Sequence, residues 1–219
     1  ITAQGTTVVV WTYDDGNGNT TTQNQNVVIN DTTAPVPDST TLADVTAECS
    51  VASLNAPTAT DNCSGAVTIT NNATLPITAQ GTTVVIWTYD DGNGNSVTQN
   101  QNVVINDTTA PVPDSTTLAD ITAECSVVSL TAPTATDNCG GTITVTNNAT
   151  LPITAQGTTV VVWTYDDGNG NTTTQNQNVV INDTTAPVPD STTLADVTAE
   201  CSVASLNAPT ATDNCSGAV

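Results

Sequence analysis

The chain has 219 residues, of which 21 are Asp or Glu and none is Lys, Arg or His, so its formal net charge is −21. No side chain can neutralise a phosphate backbone, which argues against nucleic-acid binding, and an anionic membrane surface would repel the chain. Catalysis would have no imidazole, ammonium or guanidinium group to use, so we predict that the protein is not an enzyme. No apolar run is long enough for direct membrane insertion.

The sequence repeats with a period of 76 residues. Residues 31–106 and residues 107–182 differ at only 10 of these 76 positions. We therefore predict two complete domains at these bounds, preceded by the C-terminal part of a repeat in residues 1–30 and followed by the N-terminal part of one in residues 183–219. Such similarity between neighbours is typical of tandem duplication, so we expect a segment of a longer array.

The elements of one repeat can be taken in chain order from residue 31. Residues 31–38 hold two prolines and no strand pattern, which predicts a short, stiff linker between domains. Apolar residues then alternate with polar ones in short runs separated by turn residues, which is typical of strands. The predicted strands are residues 42–49, an edge-like strip at 53–56, and residues 67–71, 77–80, 82–89 and 96–106.

The last two strands form a β-hairpin closed by the Asp-Gly-Asn-rich turn of residues 90–95. Six or seven short strands without a helix, with turn signals every 8 to 12 residues, predict an all-β, Ig-like β-sandwich. Tandem copies of such a sandwich would form an extended rod.

Six cysteines occur as one pair per repeat, 14 residues apart. An even number at fixed spacing predicts a disulfide framework and an oxidising, secreted or cell-surface location. Zinc is the weaker alternative, because two Cys without His do not complete four ligands. The predicted disulfides are Cys49–Cys63, Cys125–Cys139 and Cys201–Cys215.

Several motifs carry a family resemblance. They are Asp-x-x-Ala-Pro at residue 31, Val-Thr-Ala-Glu-Cys at 45–49, Ala-Thr-Asp-Asn-Cys at 59–63 and the hairpin sequence at 81–95. Together they resemble the hyalin repeat (HYR). The resemblance implies an Ig-like or fibronectin-like sandwich, found in tandem in extracellular adhesion proteins, including large bacterial surface proteins, and it implies no catalytic residues. Many hyalin repeats have a cysteine just after the turn, but residues 20–25 have none.

The hairpin turn also offers a candidate calcium site. Its alternating oxygen ligands are similar to the first half of an EF-hand loop, although Asn26 stands where the bidentate Glu would fall after Asp15. A plain hairpin turn explains the same residues, and a solvated acidic surface is the alternative to ions at the repeat junction. Ca²⁺ is the one candidate cofactor. The candidate metal ligands are Asp90, Asp91, Asn93, Asn95 and Asp107, with their equivalents in the other repeats.

Hydroxyl residues that follow Asp resemble an O-glycan acceptor pattern of some surface-displaying bacteria. The alternative is that Thr serves β-propensity and solubility. The candidate glycosylation sites are Thr32, Ser39, Thr108, Ser115, Thr184 and Ser191.

The composition, repeats and resemblance predict a rigid acidic spacer in a long extracellular fibre or adhesin stalk of a bacterial surface. Its partners would be neighbouring repeats, other copies or surface glycans. One alternative is a filament subunit, in which residues 183–219 and residues 1–30 of two copies complete a sandwich head to tail. Another is a carbohydrate-binding module with an exposed platform of Trp11 and Tyr13, although these two residues share a strand face that suits a core better.

Overall fold

A computed structural model describes residues 1–63, 65–215 and 217–218, and within this part every regular element is a strand. The described residues contain no helix that is long and apolar enough to cross a membrane. The strands are β1 (Gly5–Asp14), β2 (Thr20–Ile29), β3 (Val36–Pro37), β4 (Val45–Ala47), β5 (Ala59–Thr60), β6 (Thr68–Asn71), β7 (Gly81–Asp90), β8 (Ser96–Ile105), β9 (Val112–Pro113), β10 (Ile121–Ala123), β11 (Ala135–Thr136), β12 (Thr144–Asn147), β13 (Gly157–Asp166), β14 (Thr172–Ile181), β15 (Val188–Pro189), β16 (Ala211–Asp213) and β17 (Gly217–Ala218).

The chain divides into two compact units, Ile1–Asp107 and Thr108–Val219. In the first unit, a four-stranded sheet has the order β4-β8-β7-β6 and a two-stranded sheet pairs β3 with β5. Strand β4 runs parallel to β8, while the other pairs are antiparallel. The second unit repeats this arrangement with β9 to β14. The prediction of an all-β, Ig-like sandwich is therefore confirmed.

The hairpin β7–β8 forms one wall of the core because its side chains alternate between the two faces of the sheet. Val85, Trp87 and Tyr89 are at most 1% exposed, whereas the intervening Val84 and Ile86 are 48% and 39% exposed. The buried face packs against side chains from the part of the repeat that precedes β7. These are Leu42, Val45, Ala47, Val51, Leu54, Ala59, Val67, Ile69 and Ala73, together with Ile77.

Two glutamines on β8 satisfy the polar ends of the buried aromatic residues. The Trp87 Nε1–H group donates to Gln101 Oε1 at 2.9 Å, and Gln101 Nε2 donates onward to the Ala43 backbone carbonyl at 2.9 Å. The Tyr89 hydroxyl donates to Gln99 Oε1 at 2.7 Å. A buried indole or phenol needs such a partner, so these relays let large aromatic rings fill the core while tying the hairpin to the loop before β4.

The front half of the repeat differs from its predicted strands. Residues 31–38 are part of the sandwich, because β3 pairs with β5 and Pro35 is buried. Pro37 is tolerated there because β3 has only one strand neighbour. Residues 53–56 form no strand, and residues 77–80 supply only the bridge between Ile77 and Val51.

The partial repeats keep the local pairing of the complete ones but leave their apolar faces open. Hairpin β1–β2 has the register of β7–β8, yet Trp11 and Tyr13 are 53% and 54% exposed. Strands β15 and β16 pair as β3 and β5 do, while Leu194 and Leu206 are 67% and 71% exposed. Each partial repeat therefore presents one half of a core.

Candidate functional site

The hairpin turn of the first complete repeat is closed by its own carboxylates. Asp91 Oδ1 accepts hydrogen bonds from the backbone N–H groups of Asn93 (2.7 Å) and Asn95 (3.0 Å), and Oδ2 accepts one from the Asn95 side chain at 2.7 Å. Asp90 Oδ1 accepts from the Gly92 backbone N–H at 2.7 Å. Desolvation raises the pKa of Asp91, but the hydrogen bonds from Asn95 and Asn93 outweigh it and hold the pKa below its usual value. The carboxylates of Asp90 and Asp91 are thus both engaged by amide groups of the turn itself.

Asp31 at the start of the same repeat meets this turn. It is 5% exposed, and its Oδ2 accepts a hydrogen bond from Asn93 Nδ2 at 3.2 Å while its backbone carbonyl accepts one from Asn95 Nδ2 at 3.2 Å. The sequence predicts Asp107, the first residue of the next repeat, as a member of this ligand set. Within the first unit, the Asp107 backbone N–H donates to Gln80 Oε1 at 3.0 Å, and Asp31 is the residue that contacts the turn.

The turn and Asp31 form part of an acidic cluster with Asp61. Ligand atoms of Asp31, Asp61 and Cys63 lie within 4.8 Å of one another. Asp61 Oδ1 accepts a hydrogen bond from the Cys63 backbone N–H, but Oδ2 is buried without a hydrogen-bond partner, as is Oδ2 of Asp137 in the second unit. With no cationic side chain in the sequence, this charge is uncompensated. Carboxylate and amide oxygens are the ligands that calcium prefers.

The thiol of Cys63 lies in this acidic cluster and is free and exposed. Desolvation raises the pKa of Cys63, and a hydrogen bond to Asp31 and the charges of Asp31, Asp61 and Asp91 raise it further. The thiolate is therefore disfavoured at neutral pH, and Cys63 is a poor soft ligand for metal.

The disulfide of Cys125 joins consecutive repeats, and with the free thiols it corrects the predicted pairing within each repeat. Cys125 is bonded to Cys215, 90 residues later, with a Cα–Cα distance of 4.8 Å. Cys63 and Cys201 are free, so the pairs Cys49–Cys63, Cys125–Cys139 and Cys201–Cys215 were wrong. Cys49 and Cys139 are also in disulfides.

The sheet arrangement explains why the 14-residue spacing misled the prediction. Cys125 follows β10, which lies in the four-stranded sheet, whereas Cys139 follows β11, which lies in the two-stranded sheet. The intervening segment crosses from one sheet to the other, so the closeness of the two cysteines in sequence does not make them neighbours in the fold.

Glu124, next to the bonded cysteine, adds polar contacts to this junction that sequence reasoning missed. Its Oε1 accepts a hydrogen bond from the Thr184 hydroxyl at 2.7 Å, and its Oε2 accepts one from Asn214 Nδ2 at 3.0 Å. Glu124 directly precedes Cys125, and Asn214 directly precedes Cys215, the two cysteines of the bond. The Glu-Cys and Asn-Cys motifs, which recur in every repeat, were the available signal.

The glycosylation candidates all lie at exposed positions. The three serines share one local geometry, in which each hydroxyl donates to the backbone carbonyl two residues later, and Thr184 donates to Glu124. The assignment of these residues as acceptors stays a prediction. The candidates are Thr32, Ser39, Thr108, Ser115, Thr184 and Ser191.

The fold and the disulfides define a class of protein, an extracellular all-β repeat module stabilised by disulfides. Residues 108–181 match the family described as "HYR-like domain with 4 cysteines". Residues 32–105 are nearly identical to residues 108–181, so both complete repeats are HYR-like domains, and the predicted resemblance is confirmed.

Individual proteins of known sequence or structure are also similar to this chain. "Hyalin" of Lytechinus variegatus is 37% identical over 202 residues, which cover 84% of this chain and 38% of that protein. The extracellular domain of protocadherin GammaB4 is 14% identical with a TM-score of 0.34, over 84% of this chain and 38% of that one. An endo-fucoidan hydrolase of glycoside hydrolase family 107 is 17% identical with a TM-score of 0.33, over 84% and 35%. The chain therefore spans well under half of each of these proteins.

Proposed function

We propose that the repeats are rigid, acidic spacers in an extracellular adhesion stalk. The observation that carries this proposal is the bond from Cys125 to Cys215, which ties one repeat covalently to the next while Glu124 makes hydrogen bonds at the same junction. A stalk must transmit force between a surface and a distant contact, and a covalent link between consecutive domains resists their separation. The partners of such a stalk are other cell-surface molecules, including glycans or copies of the same protein.

The charge supports the same role. All 21 acidic side chains lack cationic partners within the sequence, so neighbouring stalks repel one another and stay soluble. Near-identical repeats with strand edges are otherwise prone to pair wrongly between chains, and like charges oppose this pairing.

Single-molecule stretching of the full chain tests the spacer role. With Cys125–Cys215 intact, the bond bypasses the intervening residues, so unfolding of the second unit releases little length. In the Cys125→Ser/Cys215→Ser variant, up to 90 residues are freed at roughly 3.4 Å each, so we expect a few hundred ångström of additional extension. Cys63→Ser/Cys201→Ser is the matched control, because these thiols are free. Equal extension in both variants would show that the bond does not carry force.

We further propose that a divalent cation, with Ca²⁺ as the candidate, supplies the missing counter-charge in the acidic cluster. The supporting observation is the buried Oδ2 of Asp61, without a hydrogen-bond partner, beside the buried carboxylate of Asp31. Asp91 of the hairpin turn adds a third carboxylate to those of Asp31 and Asp61 near Cys63. An ion bound there would hold the start of the repeat against its hairpin turn.

Thermal unfolding of the full chain in Ca²⁺ and in EDTA tests this site. We expect Ca²⁺ to raise Tm, because a ligand that binds only the folded state stabilises it. The Asp61→Asn/Asp137→Asn variant should lose this response while keeping its side-chain shape. Asp44→Asn/Asp120→Asn is the control, since it removes the same charge from two exposed residues that accept hydrogen bonds from Asn102 and Asn178. A Tm that is the same in Ca²⁺ and EDTA for the wild type would rule the site out.

A carbohydrate-binding platform gains no support from the complete repeats, because Trp87 and Tyr89 are core residues there.

A further inference from the structure

We infer that Asn72 and Asn148 carry N-linked glycans, and that each glycan covers an edge strand of its repeat that no charge protects. The two residues hold equivalent positions in the two complete repeats, directly after β6 and β12. The inference uses the extracellular location of the chain, but it does not depend on the spacer role or on the bond between Cys125 and Cys215.

Asn72 begins an acceptor motif for N-glycosylation. The sequence Asn-Ala-Thr at residues 72–74 has the hydroxyl residue two positions after the Asn and a middle residue other than proline. The same three residues recur at 148–150 in the second complete repeat. In both motifs the Asn and the Thr are exposed, as the surface position of a bulky glycan requires.

The side-chain amide of Asn72 is held by its oxygen, which leaves its nitrogen available. Oδ1 accepts a hydrogen bond from the Ile86 backbone N–H at 2.8 Å, and the Asn72 backbone N–H donates to the Ile86 carbonyl at 3.3 Å. Among the described residues, Asn72 Nδ2 donates to no protein atom. An N-glycosyl bond forms at Nδ2 and retains Oδ1, so the contact with β7 survives. Asn148 makes the same contact with the Val162 N–H at 2.9 Å.

Other Asn-x-Thr motifs of the chain lack this arrangement. The motif at residues 171–173 begins with Asn171, whose Nδ2 donates to Asp167 Oδ2 at 2.7 Å and helps to close the hairpin turn. The motifs at residues 30–32 and 106–108 have Asp31 and Asp107 at their centres, and both of these residues are 5% exposed. Asn72 and Asn148 therefore differ from these sites in having an amide nitrogen that the fold does not use, within an accessible motif.

The two edges of the four-stranded sheet are protected in different ways. Strand β4, at one edge, is flanked by the exposed acids Asp44 and Glu48. Strand β6, at the other edge, contains no charge and no proline, and no acidic residue occurs between Asp61 and Asp90. Charges on an edge strand oppose its pairing with a strand of another molecule. A bulky, hydrophilic glycan at the end of β6 would hinder such pairing sterically.

A groove beside Asn72 gives the first sugar a surface to contact. Its lining includes Thr74, Pro76 and Val84, and Val84 is 48% exposed. A sugar ring presents C–H groups as well as hydroxyls, so Pro76 and Val84 suit the ring face and Thr74 suits a hydroxyl. The equivalent groove lies beside Asn148 in the second complete repeat.

The modification is a group transfer from an oligosaccharide that is linked to a lipid through a diphosphate. The Nδ2 nitrogen of Asn72 attacks the anomeric carbon of the first sugar and forms the C–N bond. The bond from that carbon to the diphosphate oxygen breaks, and its electron pair leaves with the lipid diphosphate. One amide proton passes to solvent, and no atom is oxidised or reduced.

Peptide mapping of the full chain, secreted from a eukaryotic cell, tests the two sites. Trypsin has no site in this sequence, so a protease that cuts at Asp generates the peptides. A glycan-releasing amidase in heavy-oxygen water converts each glycosylated Asn into a labelled Asp, and fragmentation of the peptide locates the label. We expect the label at Asn72 and at Asn148. A label missing from either residue would overturn the inference.

A pair of variants tests whether the glycan shields the edge strand. Thr74→Ala/Thr150→Ala destroys both motifs, whereas Thr74→Ser/Thr150→Ser keeps the required hydroxyl and is the matched control. In salt that screens the acidic charges, we expect light scattering to rise more than about fivefold faster for the Ala variant than for the Ser variant. Circular dichroism and Tm show whether both variants fold alike.

Equal scattering rates for the two variants would overturn the role of the glycan as an edge shield, even where mapping finds glycans on both residues. Neither the mapping nor the scattering result bears on the stretching test of the spacer role, because both variants keep the bond between Cys125 and Cys215.

Discussion

Replacement of Trp87 by alanine should destabilise the first unit by roughly 3–5 kcal/mol, the range found for large aromatic residues removed from a core. Trp87 is 1% exposed and lies at the centre of the β7 face, and its loss also leaves Gln101 without its indole partner. Guanidinium unfolding followed by circular dichroism, with hydrogen exchange at β7 and β8 to locate the effect, measures this cost.

The chain supplies its own control for this prediction. Trp11 occupies the same position in the same local sequence and donates to the equivalent glutamine, but it is 53% exposed. Trp11→Ala in monomeric protein should therefore cost less than about 1 kcal/mol. Similar costs for the two variants would show that burial does not determine the contribution of this indole.

Removal of the bond between Cys125 and Cys215 should also lower the free energy of unfolding by a large amount. The chain-entropy model gives about 4–5 kcal/mol for a loop of this length, because the bond restricts the unfolded chain. We expect hydrogen exchange at β13 and β14 to accelerate in Cys125→Ser/Cys215→Ser, while β7 and β8 serve as an internal reference. Cys63→Ser/Cys201→Ser removes two exposed free thiols and should leave exchange unchanged. Protection of β13 and β14 equal to that of the wild type would contradict the prediction.

Local patterns in the sequence were sufficient to predict the hairpins. Alternation of apolar residues along β7, with Asp and Gly at the turn, specifies both the strand and the face it buries. Gly92 and Gly94 adopt positive φ values of 77° and 105°, which is where glycine is favoured. The resemblance to the hyalin repeat added the family and the extracellular location, which the comparisons support.

Contacts between distant segments could not be predicted in the same way. The two cysteines of a repeat are close in sequence, but they follow strands of different sheets, so the bond forms with the next repeat instead. Asp31 reaches the turn at Asn93 because β3 joins the sandwich, whereas the prolines of this segment had indicated a linker. Both errors come from long-range pairing, which depends on the whole topology and leaves little local signal.

The bond between Cys125 and Cys215 also determines the effect of a cut in the backbone between these two cysteines. A peptide-bond cut at any position between these two cysteines leaves the upstream and downstream parts covalently attached, because the disulfide provides a second path around the cut. The sequence has no Lys or Arg, so proteases that require these residues have no site at all. In the adhesion stalk that we propose, a single backbone cut between Cys125 and Cys215 would therefore leave the distal part of the chain attached.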